Sequence, residues 1–138
     1  MVATGAEAAV LLVARVLFGG VLAFMGLNHF MQTGQMTGYA QAKALPAPKL
    51  GVLASGALLV VAGLAIVVGV FPLVAAAALA AFLLVSAVVF HDFWAVPEDQ
   101  AQEQMTHFLK NVALAGAALG FAAIGFQDWS LSVGLGLL

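Results

Sequence analysis

The sequence predicts an all-α integral membrane protein, a bundle of four spanning helices. Three observations carry this. Of its 138 residues, 64% are hydrophobic and only 7% charged, whereas ordinary globular chains are about 45–50% apolar and about 25% charged. The mean hydropathy is +1.15. Four apolar segments each reach the roughly 20 residues that a helix needs to cross a hydrocarbon core about 30 Å thick.

The segments run from about 6 to 30, 50 to 69, 72 to 91 and 105 to 126. The length suits one domain, 1–138, with no polar linker to divide it. MVATGAEAAV has no Lys or Arg ahead of the first apolar run, so that run is expected to stay as a span and not be removed as a signal peptide. Glycines recur through the segments. Gly116 and Gly120 form a GxxxG, and Gly56 and Gly63 lie a heptad apart. Helix packing is the role expected of both pairs, since glycine lets backbones approach closely in lipid, and a homo-oligomer stays open.

The connections differ. Thr33-Gly34 and Thr37-Gly38 are expected to break the stretch between the first two spans, and Pro46 and Pro48 to stop any helix before the second. Part of this stretch is expected to lie along the interface with Tyr39 as its anchor. Val70-Phe71-Pro72 predicts a short helical hairpin between the second and third spans. Pro97, Glu98, Asp99 and Glu103 make the third connection acidic, a solvated face that favours the start of the fourth helix. After Phe126 the chain is too short to span again and is expected to lie on the surface, with Trp129 at the boundary.

Composition also excludes functions. The formal charge is −2, which argues against nucleic acid, and no Lys/Arg run suggests an anionic-lipid patch. There is no cysteine, hence no disulfide, thiol relay or thiolate metal site within this chain.

Alternating topology turns the sequence into a candidate site. The ends of spans one and three and the starts of spans two and four must share one membrane side. The polar residues sit at those ends: Asn28 and His29, then Ser55, then His91 and Asp92, then His107, Lys110 and Asn111. Positions 90–111 hold two of the three His and four of the six Asp/Glu. His107, Lys110 and Asn111, spaced i, i+3, i+4, form one helix stripe. Arg15, Gly19, Leu22, Gly26 and His29 fall on one face of span one. Arg15 is costly in lipid. It either snorkels to the nearer interface or finds a buried acceptor such as Asp92, though Lys110 is the easier partner for Asp92. Lys43 and Lys49 place this side in the cytoplasm by the positive-inside rule.

The bland reading is that the His residues bond terminal carbonyls and interfacial water, and that Phe93 and Trp94 form an aromatic belt. Four functional readings stand beside it. His29, His91, Asp92 and His107 are metal-capable types, but no HxxxH, HxH or HExxH spacing accompanies them. A bis-His haem needs His91 facing His107 or His29 at equal depth. A quinone or similar amphiphile needs hydrogen-bonding groups at the membrane edge and an apolar groove, and the sequence offers both. The loop PEDQAQEQ with Phe93 and Trp94 offers a docking surface for a partner protein.

LLVARVLFGGVLAFMGLNHF, then FHDFW, then MTHFLKNVALAGAALGF resemble the signatures of the DoxX/DoxD-like family, over roughly 11–125. The resemblance implies a four-helix membrane protein with Arg15, His91, Trp94, Phe108, Lys110 and Asn111 as motif positions. It further implies kinship with a subunit of thiosulfate:quinone oxidoreductase and with components of membrane complexes handling thiol stress. The wider group is similar to the surfeit-locus cargo receptors, which carry rather than catalyse. With no cysteine present, the resemblance points to an accessory, ligand-binding subunit of a redox complex more than to an independent enzyme. A non-catalytic carrier is the alternative. Lipids and a redox protein are the partners implied, and Arg15, Asn28, His29, His91, Asp92, Trp94, His107, Lys110 and Asn111 are the candidate ligand-binding residues.

Overall fold

A computed structural model describes residues 5–129 and 132. The described residues form five helices and no strand: α1 (Ala6–Met31), α2 (Thr33–Ala42), α3 (Pro48–Val68), α4 (Pro72–Phe90) and α5 (Glu98–Ile124). All but α2 are long and apolar enough to cross a membrane.

Helix α1 packs chiefly on α3, and α4 on α5. Glycine sets the first contact. A methyl group built at Gly26 would lie 2.7 Å from the carbonyl oxygen of Gly56, and one at Gly63 would strike the backbone of Gly19 and Ala23. The backbones of α1 and α3 therefore touch, as small residues permit in lipid. Gly116 and Gly120 behave otherwise. No described residue lies within 4 Å of a methyl group built at either, so this GxxxG takes no part in packing among the described residues.

The shared core gathers Leu22, Leu59, Ile66, Ala76, Leu79, Leu83, Ala115, Ala118 and Phe121. Phe18 of α1 meets Phe121 of α5 at 5.1 Å between ring centres. The outward faces are as apolar as the interior, with Val10, Leu17, Val61, Val85 and Leu119 exposed. In water such a surface would be a liability; in lipid it is the solvated face.

Two connections differ from expectation. The stretch after α1 is not broken at Gly34 and Gly38, both of which lie inside α2. Each glycine costs a helix about 1 kcal/mol, and tertiary packing of the buried Ala40 offsets it. The helix stops where Ala44 and Ala47 turn left-handed ahead of Pro48, the first residue of α3. Likewise the acidic segment is not a loop. Glu98 begins α5, with Glu98 and Asp99 in its first turn beside the positive end of the helix dipole. At 27 residues α5 is about 40 Å long, so its first turns extend past a core of about 30 Å.

Between α3 and α4, Gly69 adopts φ 76° and donates its N–H to Ala65 O. This is the left-handed cap that glycine tolerates best. Beside it Arg15 is fully buried. Its Nε donates to Ile66 O at 3.1 Å and one terminal nitrogen to Val67 O at 2.6 Å. It thus satisfies carbonyls that a helix end leaves without intrahelical partners. The indole of Trp129 lies 5.4 Å from the guanidinium, donates to Ile124 O and is buried. Arg15 therefore reaches the last turn of α3 at the nearer end of the bundle and not Asp92, and Trp129 is a core residue.

Candidate functional site

At the opposite end the helices line a cavity of about 340 Å³. Leu22, Met25 and His29 of α1 form one wall, and Gly51, Val52, Ser55 and Leu59 of α3 the next. Phe82, Leu83, Ser86 and Phe90 of α4, with His91 and Asn111, form the far side, while Met36, Tyr39 and Ala40 of α2 and Leu45, Pro46 and Pro48 cover it. The walls are mostly apolar. Among the described residues no Lys, Arg, Asp or Glu lines them.

The polar groups are few and mostly engaged. His29 Nδ1 lies 3.0 Å from Ser55 Oγ and 3.2 Å from Val52 O, and Ser55 Oγ donates to Val52 O at 3.0 Å. Across the cavity the buried Asn111 amide donates to Ser86 Oγ at 3.4 Å. His91 Nδ1 lies 2.9 Å from Gln104 Oε1, and its ring stacks on that of His107 at 5.1 Å.

Helix α2 is tied down over this space. Tyr39 donates its hydroxyl to Phe90 O at 2.6 Å and stacks on the Phe90 ring. Lys43 forms a hydrogen-bonded ion pair with Asp92. That bond, above all, holds the Asp92 carboxyl below its ordinary pKa. One residue past α4, burial pushes the His91 imidazole down; the Gln104 bond opposes this, and the positive charges of His107, Lys110 and Lys43 reinforce it.

The structure divides the expected residues. His29, His91 and Asn111 line the cavity. Asp92 closes its rim through Lys43, and His107 backs His91 from outside, with Glu103 3.9 Å from its Nε2. Asn28 lies near the end of α1 but not in the wall. Lys110 is exposed and does not pair with Asp92. Trp94 is 57% exposed and packs edge-on against Phe93 and Phe108. Arg15 stands on the same face of α1 as His29 but fourteen residues away, about 21 Å along the axis, and serves the other end of the bundle. The stacked His91 and His107 rings leave no space for a porphyrin between them. Among the described residues no three His, Asp or Glu are grouped to hold a metal ion.

Sequence reasoning missed Ser86, Lys43, Met36 and Phe90. Ser86 carried a signal, as the one polar residue within the apolar 72–90 run. Lys43 carried another, a cation in the α1–α3 connection on the same membrane side as Asp92.

The DoxX family signature matches residues 10–92. The chain belongs to the DoxX family. The matched region holds Arg15, His29 and His91 and ends at Asp92, so the FLKN stretch of α5 lies beyond it. The chain is also 29% identical over 120 residues to "Inner membrane protein YphA" of Escherichia coli (strain K12), covering 87% of this chain and 86% of that protein. No solved structure matches at a significant level. Family, relative and four spanning helices make this a multi-pass integral protein of a bacterial inner membrane.

Proposed function

We propose that this DoxX protein binds a quinone or similar lipid-soluble amphiphile in the cavity under α2, and serves a redox partner as an accessory subunit. The observation that carries the reading is the cavity itself. It lies toward one end of the spanning helices, is large enough for one head group at about 340 Å³, and has apolar walls with a few neutral hydrogen-bonding groups. The described walls hold no acidic or basic side chain, which suits an uncharged head group. The chain has no cysteine to exchange electrons with such a ligand, so the redox chemistry is assigned to the partner.

The test is calorimetric titration of the purified protein with decylubiquinone, a short-chain quinone. Wild type binds it. Ser86→Phe, which places a ring inside the cavity, abolishes binding, while Lys110→Ala leaves affinity unchanged. Equal binding by wild type and Ser86→Phe, or none by wild type, overturns the proposal.

A further inference from the structure

We infer that the cavity prefers the hydroxylated, reduced form of its ligand, and that His29 Nε2 accepts the hydrogen bond that makes the distinction. The inference rests on the quinone-class reading above and deepens it.

The hydrogen bonds around His29 fix its tautomer. Val52 O is a carbonyl and can only accept, yet it lies 3.2 Å from His29 Nδ1, so Nδ1 carries the proton. Ser55 Oγ has one hydrogen and gives it to Val52 O at 3.0 Å, which turns its lone pairs to the same Nδ1–H at 3.0 Å. A neutral imidazole has a single N–H. Its Nε2 is then a bare acceptor, and no described residue donates to it. His29 forms part of the cavity wall and is half-buried.

Asn111 does not discriminate. One amide N–H goes to Ser86 Oγ, which leaves a second N–H and the amide oxygen to meet either form of the ligand. The distinction therefore falls to His29, and an aromatic hydroxyl supplies the donor that its Nε2 lacks. A quinone carbonyl has only lone pairs and would set them against that of Nε2. One neutral hydrogen bond gained against one acceptor left unmet is worth about tenfold in affinity.

The experiment compares decylubiquinol with decylubiquinone on the full chain in nanodiscs, anaerobically, at about pH 8, well above the ordinary imidazole value. Wild type is expected to bind the reduced form about tenfold more tightly. The same preference raises the midpoint potential of the bound couple by about 30 mV, the two-electron equivalent of tenfold. His29→Asn keeps an amide N–H for Ser55 and Val52 but has no counterpart to Nε2. It is expected to lose the preference with its melting temperature unchanged, and His29→Gln, whose longer amide reaches the Nε2 position, to regain part of it. Equal affinity for both forms in wild type overturns the inference and leaves the cavity reading standing. A preference that survives in His29→Asn overturns the role of His29. Binding of neither form overturns both readings.

Discussion

Gly26→Ala tests the contact that builds the bundle. The new methyl would lie 2.7 Å from Gly56 O, 2.8 Å from Val60 N and 2.8 Å from Val60 Cγ2. Two of the three atoms are backbone and cannot rotate aside, so α1 and α3 must separate by several tenths of an ångström. Inserting one carbon into a filled interface costs about 1–3 kcal/mol, and rigid neighbours put this site at the upper end. Alanine regains up to about 1 kcal/mol over glycine in helix propensity. The net expectation is a loss of about 1–2 kcal/mol. Gly116→Ala is the matched control. It meets nothing within 4 Å and is expected to be neutral or stabilising by up to about 1 kcal/mol. Reversible unfolding in mixed detergent and SDS micelles reads both. Equal stability of the two variants would refute the glycine contact between α1 and α3. The same movement displaces His29, whose Cβ lies 2.7 Å from a methyl built at Gly56, so Gly26→Ala is also expected to weaken ligand binding.

Two further predictions concern the ends of the bundle. Arg15→Met strips the donors from Ile66 O and Val67 O and is expected to cost about 2–4 kcal/mol in the same unfolding assay, since each buried carbonyl left unmet costs about 1–3 kcal/mol and removal of a charge from the apolar interior returns part of this. Arg15→Lys, with one nitrogen in place of a fork, is expected to fall between. At the cavity rim the Asp92 carboxyl sits below its ordinary value because of Lys43. A depressed carboxyl contributes its stability above the ordinary value of about 3.9 and loses it as pH falls through the lowered one. Hydrogen exchange of α2 amides, corrected for intrinsic rates, is therefore expected to stay flat from pH 8 to about 7, to quicken below about 6.5 as uncovered His91 takes up a proton that its lowered pKa denies it in place, and to quicken again in stronger acid as Asp92 protonates; Asp92→Asn is expected to quicken it at neutral pH.

Much of this was legible because lipid imposes few solutions. Span length and alternation placed His29, His91 and Asn111 at one end without any tertiary knowledge, and the face shared by Arg15, Gly19, Leu22 and Gly26 is the buried face of α1. The failures have a common physical source. A face shows which residues point inward, not the depth at which each finds its partner, so Arg15 joined the candidate ligand-binding residues although it bonds α3 carbonyls at the other end of the bundle. Glycine content suggested a break across α2, because propensity carries no record of what Ala40 packs against. Lys110 looked inward by spacing with Asn111, yet neighbouring residues on a helix differ by about 100°, and Asn111 took the buried position. The unused GxxxG of α5 shows that a motif does not by itself identify the interface it serves.

The central claim is that the cavity under α2 holds an uncharged amphiphile with a ring head group. Mass spectrometry of the lipid extract from gently purified protein tests it most directly, comparing wild type with Ser86→Phe. The account predicts quinone or quinol enriched in the wild-type extract over bulk membrane and lost from the variant. Phospholipid alone in both extracts would contradict it.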